Sequence, residues 1–399
     1  MLKQVSIDEL VPGMYVSQVL EQTGQLRMRS KGLVKSASVI ESLKAKGILT
    51  VEIDLDKSRL PEQKSAPAPE DTIEDTKPSP QPHRSNQEKF SQANDLYEQA
   101  VSIQSGFIKS LSTNAPKDLS PLTELSQSLI DSVFDNQDAL SCLTMIKDAD
   151  AYLLEHSINC SVMMGIFTQH LGYDRDTIEQ ASLGAMLMDI GMSALPQELR
   201  MSTDNLSGDD WAIVQSHVEL GLELLEQCGD ISDLVLHIIE QHHERVDGSG
   251  YPRRLRGDAI EPLARAAAIV DSYDAMTSNR PHREAITPSQ ALKRLTKQAN
   301  LDQELVKQFI QCVGVHPIGS LVRLASGKLG IVCQAGTKDV LSPTVMTFYS
   351  VNSGGGYREI KRVDLSLTDD EIVSGVRPDD FNIDLPKFFR EVFIHQVPG

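Results

Sequence analysis

Basic residues are scarce in this chain. Its 38 lysines and arginines stand against 56 aspartates and glutamates, a net charge of −18 over 399 residues. A field that acidic argues against nucleic-acid polymers as partners. Any anionic ligand must be held locally, by metal ions, an arginine or backbone N–H groups. Cysteine is rare too. The five residues, Cys142, Cys160, Cys228, Cys312 and Cys333, are scattered and form no CxxC pair. That pattern points to reduced thiols in a cytoplasmic protein rather than to a disulfide framework. Aromatics make up 5% of the chain and nowhere interleave with a basic stripe. No apolar run reaches the ~20 residues of a membrane helix, and Met1–Ser6 lacks the apolar stretch of a signal peptide.

What is present divides the chain into five segments. Residues 1–56 read as a small α/β module, with a turn and strand at Leu10–Val16, a short amphipathic helix at Ser38–Lys46 and a strand at Leu49–Ile53. Residues 57–90 carry six prolines among Ser, Gln and charged residues, the composition of an extended, mobile linker. Residues 91–140 are helical by spacing: Leu96, Ala100, Ile103, Phe107 and Leu111 recur every three or four positions, as do Leu122, Leu125, Leu129 and Val133. These helices either lead into the next domain or pack on a second copy of the chain. Residues 141–311 hold most of the histidines and predict five or more helices, one starting at an N-cap Ser207. Residues 312–399 are β-rich: Gly319–Leu324 and Lys328–Cys333 flank a Ser-Gly turn as a hairpin, and Val345–Tyr349 adds a strand. The fold class is therefore mainly α, with a small α/β module before the helical domain and a β-rich extension after it.

The chemistry concentrates in the helical segment. His242-His243-Glu244 runs into Asp247-Gly248-Ser249-Gly250-Tyr251-Pro252. Paired imidazoles suit divalent metals such as iron, manganese or zinc, and a Gly-Ser-Gly turn lets backbone approach a bulky anion. Together they suggest metal-assisted chemistry on a phosphate ester. His156 and His217 lie in helical sequence. Asp189 and Asp271 sit among Leu, Ile and Val, where a buried carboxylate is costly unless paired or metal-bound. His170, His237, His282 and His395 read as structural.

At these residues the chain resembles the HD-GYP family, a branch of the HD phosphohydrolases that hydrolyses cyclic dinucleotides, chiefly cyclic di-GMP. The signature HHExxDGSGYP is complete over His242–Pro252, and Arg265–Pro281 follows the family closely. Residues 1–56, with Pro12-Gly13-Met14-Tyr15-Val16, are similar to the domain of unknown function often found ahead of it. The resemblance implies an all-helical HD-type fold over residues 141–311. It implies one metal on His156, Asp189 and Asp271, and a second on Asp189, His217 and His242 with His243 close by. Iron or manganese is expected, as one or two ions. Asp189 would be the shared carboxylate on which catalysis depends. Gly248, Gly250, Tyr251 and Pro252 either shape the turn or touch the ligand. Arg280 either pairs with a carboxylate or meets a ligand phosphate. Tyr152 stands where three-metal members carry a carboxylate, so no third metal is expected.

Two positions depart from the pattern. The His-Asp doublet that names the superfamily reads Met188-Asp189, and the lysine that follows falls on Met192. A thioether is a poor ligand for Mn²⁺ or Fe²⁺. A missing cation at a phosphate is worth roughly 10²–10³ in rate. Met188 and Met192, four residues apart, would share one helix face repacked as apolar core. Two functions follow from the resemblance. One is a cyclic di-GMP phosphodiesterase of weakened activity. The other is a catalytically inactive regulator that binds cyclic di-GMP or a partner such as a GGDEF-type protein. A homodimer is compatible with either.

Overall fold

A computed structural model describes residues 2–7, 10–11, 14–22, 32–34, 40, 44, 48–54, 86–111, 117–145, 152–200, 207–279, 284–336, 339, 341–352 and 355–389. Two compact units emerge, Met1–Pro80 and Gln81–Gly399.

In the first unit, β1 (Leu2–Ser6), β2 (Tyr15–Gln22), β3 (Gly32–Leu33) and β4 (Ile48–Asp54) form an antiparallel sheet in the order β1-β4-β2-β3. Val5 opposes Val51 and Val16 opposes Ile53, and these residues meet Ile48, Leu10 and Val34 in one small core. The expected strand at Leu49–Ile53 lies within β4. Most of the expected helix Ser38–Lys46 and residues 57–85 of the expected linker 57–90 lie outside the described residues; the linker's last five residues, 86–90, are instead the start of a helix.

The second unit is built on α3 (Tyr152–His170), the helix that carries His156. Every residue from His156 to Thr168 is buried, and a helix buried all round belongs at the centre of a bundle. Around it pack α1 (Asn86–Leu111), α2 (Ser120–Leu143), α4 (Arg175–Leu187), α9 (Pro262–Thr277) and α11 (Gln303–Val313). Short helices complete the bundle: α5 (Gln197–Arg200), α6 (Gly208–Gln215), α7 (His217–Leu225), α8 (Asp233–Gln241) and α10 (Pro288–Leu295). Caps set their starts. Ser207 begins α6 with a full capping box to Asp210, as its sequence predicts. Asp174, Ser232, Thr287 and Asp302 cap α4, α8, α10 and α11.

The C-terminal strands β5 (Leu321–Leu324), β6 (Lys328–Gln334), β7 (Thr344–Ser350), β8 (Gly356–Asp364) and β9 (Ile372–Gly375) form an antiparallel sheet in the order β8-β7-β6-β5-β9. The expected hairpin is β5–β6. One sheet face adds Leu321, Leu329, Ile331, Met346 and Phe348 to the helical core. The other gathers Val322, Leu324, Val332 and Val345. A last turn, α12 (Leu385–Phe388), brings Phe389 beside Phe90 of α1, so one continuous core runs from residue 90 to residue 389. No helix among the described residues is long and apolar enough to cross a membrane.

Candidate metal centre

Helix α4 stops at Leu187, and Asp189 occupies the bend before a 3-10 turn at Ile190–Ala194. That turn lies directly on α7. A Cβ on Gly191 would stand 1.9 Å from the His217 carbonyl oxygen and 2.5 Å from the Gly221 nitrogen. Glycine is required there, and the close approach holds Asp189 against His217. Asp189 Oδ1 lies 3.3 Å from His217 Nε2 and 3.7 Å from His242 Nε2, while Oδ2 lies 3.2 Å from His156 Nε2. His156 Nε2 is also 3.3 Å from Asp271 Oδ1, and Asp271 Oδ2 is 3.9 Å from His243 Nδ1. Two donor groups result. Asp189, His217, His242 and His243 form one; His156, Asp189 and Asp271 form the other, with Asp189 common to both.

Ring orientation follows from the far nitrogens. His217 Nδ1 lies 2.7 Å from the Val214 carbonyl and His242 Nδ1 lies 2.8 Å from that of Ile239. Each Nδ1–H donates to that carbonyl, which leaves Nε2 a bare acceptor aimed at Asp189. Both Nε2 atoms are buried without a hydrogen-bond partner among the described residues. An orphaned buried polar group costs ~1–3 kcal/mol. Lone pairs facing a carboxylate at this range are what a cation shared at bonds of ~2.1 Å would produce. The donors therefore fit a divalent metal.

Burial alone would raise the Asp189 carboxyl. His156, whose Nε2 lies 3.2 Å from Asp189 Oδ2, outweighs it and holds Asp189 well below the usual carboxylate range. Asp271 is held down in the same way by His156 and His243. Burial, aided by His242, lowers His217 and His243, so both rings are neutral near pH 7. A depressed folded-state pKa means that the unfolded chain takes up these protons first. The resulting stability is intact above the unfolded value of ~6.5 and is lost as pH falls below it. The melting temperature of metal-free protein is thus expected to be flat from about pH 8 to 7 and lower by about pH 5.5. A flat profile through the acid end would contradict this.

Sequence reasoning missed the groups behind the donors. Asp274, one turn beyond Asp271 on α9, places Oδ2 2.7 Å from His156 Nδ1, and Ser278 Oγ donates to the same oxygen. Cys160 lies near both, but burial pushes its thiol up to about 12, which keeps it protonated. Glu244, buried at 2% exposure, accepts from the Arg253 N–H at 2.7 Å and the Leu255 N–H at 2.9 Å and so ties down the loop after His243. A carboxylate inside HHExxDGSGYP was visible; its backbone partners were not.

The loop answers part of the open question about its glycines. Gly248 has φ of 77°. The space beside Gly250 is filled by the chain's own backbone, since a Cβ there would meet the His243 oxygen at 2.4 Å and the Arg245 nitrogen at 2.5 Å. Tyr251 stacks on His243 with ring centroids 4.6 Å apart. The peptide bond to Pro252 is cis. Gly248, Gly250, Tyr251 and Pro252 line a cavity of about 580 Å³ together with Ser216 and Arg254, a volume within the ~300–1,000 Å³ of ligand sites. Arg254 was not singled out from sequence, and its φ of 56° is unusual for a residue with a side chain.

One expectation is corrected. Met188 and Met192 do not share a helix face, because α4 ends at Leu187 and Met192 lies in the 3-10 turn that follows. Met188 caps α4 and is buried in the core at 1% exposure, whereas Met192 sits half-buried in the 3-10 turn. Arg280 lies outside the described residues.

Residues 141–305 match the family described as HD domain, and residues 2–122 match a domain of unknown function (DUF3391). With HHExxDGSGYP folded around these donors, the assignment is made. Residues 141–305 form an HD domain that carries the HD-GYP signature. A cyclic di-GMP phosphodiesterase of Pseudomonas aeruginosa is 29% identical over 359 residues, 88% of this chain and 86% of that protein. A cyclic di-GMP phosphodiesterase response regulator, RpfG, of Xanthomonas campestris is 35% identical over 139 residues, 35% of this chain and 37% of that protein. A 3'3'-cGAMP-specific phosphodiesterase of Vibrio cholerae is 34% identical over 141 residues, 35% of this chain and 26% of that protein. The likeness to the first spans most of both chains; the other two cover about a third of this one.

Proposed function

We propose that this protein is a metal-dependent phosphodiesterase whose substrate is a cyclic dinucleotide, cyclic di-GMP. The observation that carries the reading is Asp189, which faces three imidazoles and is common to both donor groups, with the bare Nε2 atoms of His217 and His242 aimed at it. His217, His242, Asp189 and His243 would hold one cation, and His156, Asp189 and Asp271 a second site with fewer nitrogen donors. Manganese or iron suits such mixed N/O sets. A bound divalent cation supplies Lewis acidity to the phosphate and makes water a nucleophile near neutral pH. The protein's own groups do the rest. Asp189 orients the donors around the reacting phosphate. Tyr251, whose hydroxyl burial keeps protonated, closes the wall beside His243. Arg254, which lines the cavity, would offer the anion a cation in place of the lysine that Met192 replaces. In the reaction a water oxygen bonds to phosphorus, the bond from phosphorus to one sugar oxygen breaks, and that oxygen takes the proton, giving the linear dinucleotide. Steady release of linear product from cyclic di-GMP with added Mn²⁺ is the test; binding without release would overturn this reading.

Met188 supports the second reading, a regulator that binds cyclic di-GMP without turnover, because a core methionine stands where the family places an imidazole ligand. The two are separated by restoration. The double variant Met188→His, Met192→Lys is expected to hydrolyse cyclic di-GMP at least about tenfold faster than the parent. Its metal-free form should melt lower, since an unpaired imidazole is then buried, and should recover with Mn²⁺. A double variant no faster than the parent would mean that other changes limit the reaction.

A further inference from the structure

The Asp274 carboxylate is held by more than His156. Asn159, one turn along α3 and fully buried, donates its Nδ2–H to Asp274 Oδ1 at 3.3 Å. Its other amide end accepts from Tyr97, whose hydroxyl lies 2.7 Å from Asn159 Oδ1. Tyr97 belongs to α1 and is itself buried. A continuous buried chain therefore runs from Tyr97 through Asn159 and Asp274 to His156, and from His156 Nε2 to Asp189 and Asp271. It also joins two family segments: Tyr97 lies in the part matching the N-terminal domain of unknown function, and every later member lies in the HD segment.

We propose that Tyr97 is a positioning residue for the metal centre, through which the placement of helix α1 sets the orientation of His156. The physical argument is directional. A carboxamide presents a donor or an acceptor depending on which way it is turned. With Tyr97 O–H donating to Oδ1, Asn159 must turn Nδ2 toward Asp274. Without that donor the amide is free to turn, and an amide oxygen facing the carboxylate repels it. Burial raises the Tyr97 hydroxyl well above its ordinary value, so it stays a donor at any working pH. Asp274 in turn fixes the tautomer of His156 by accepting from Nδ1–H, the outer contact that keeps a metal-ligating imidazole in place. Moving α1 away from α3 breaks the first link and loosens the last. Helix α1 thereby acquires a route to the centre that needs no contact with substrate.

This inference rests on the metal-centre reading, and its test is chosen to keep the two apart. In metal-free full-length protein, the His156 Nδ1–H proton signal, assigned by its loss in His156→Gln, is expected to move upfield and exchange faster with solvent in Tyr97→Phe. An unchanged signal overturns the proposal whether or not metal binds. In parallel, the Mn²⁺ dissociation constant should rise roughly three- to tenfold in Tyr97→Phe and by more in Asn159→Ala. Phe90→Leu, an apolar change on the same helix, should leave it within about twofold. Equal affinity for Tyr97→Phe and the parent overturns the relay. A parent that binds no divalent metal overturns the metal-centre reading instead and leaves the proton signal to decide the relay. Phenylalanine keeps the ring packing of Tyr97, and circular dichroism of each variant confirms that it is folded.

Discussion

Asp189→Ala is expected to abolish turnover of cyclic di-GMP, by about 10³-fold or more, and to reduce Mn²⁺ binding to a weak residual. Asp189 is the member common to both donor groups, and His156, His217 and His242 all face it. Its removal takes the sole carboxylate from the three-histidine group. It leaves the other group with one histidine and Asp271. It also leaves the buried imidazoles of His217 and His242 facing each other with no carboxylate between them. Equilibrium dialysis against Mn²⁺ measures the binding, and release of linear dinucleotide measures the rate. Asp271→Ala should be milder toward the three-histidine group, since Asp271 belongs to the other one. If Asp189→Ala retained both metal and turnover, the centre would lie elsewhere.

Gly250→Ala should disrupt the same centre from the outside. A single methyl there meets the His243 oxygen, the Arg245 nitrogen and the Glu244 Cα within 2.6 Å. All three are backbone, which cannot swing aside as a side-chain tip does, so the loop must move as a body. Overpacking of this kind costs about 3 kcal/mol. The displaced atoms belong to His243 and to Glu244, whose carboxylate anchors Arg253 and Leu255. Misplacing such a group by ~1 Å costs about 100-fold in rate. The expected result is a melting temperature lower by several degrees together with a turnover loss of that size. Gly208→Ala is the control, since nothing lies within 4 Å of its added methyl, and it should change neither. A Gly250→Ala protein that melts and turns over like the parent would show that the loop has room the geometry denies.

Much of this centre is legible in the sequence because its chemistry is local. His242, His243 and the glycine-rich turn are contiguous, and a run of imidazole, carboxylate and glycine has few other uses. The hairpin β5–β6 and the capped start of α6 are equally local, set by a Ser-Gly turn and by Ser207. The misreading of Met188 and Met192 has a local cause as well. Periodicity counts four residues as one helical turn, but the contact of Gly191 with His217 ends α4 early and bends the chain. That contact is between residues 26 apart and leaves no mark in composition or spacing.

Residue type and order by themselves determined the signature, the acidic field and the mainly helical class, and the resemblance that the signature carries named His156, Asp189, His217, His242, His243 and Asp271 as candidate donors. Asp189 and Asp271 stand out because a carboxylate is costly in apolar sequence, and the histidines because they fall on the positions of the signature's family. Only the tertiary structure decided that Asp189 lies between two donor groups, that Gly250 makes room for its own loop, and that Asp274, Asn159 and Tyr97 line up behind His156. Those relations depend on the distance and angle between atoms brought from separate helices. A hydrogen bond is made or lost within a fraction of an ångström, on a scale that packing fixes and residue order does not record.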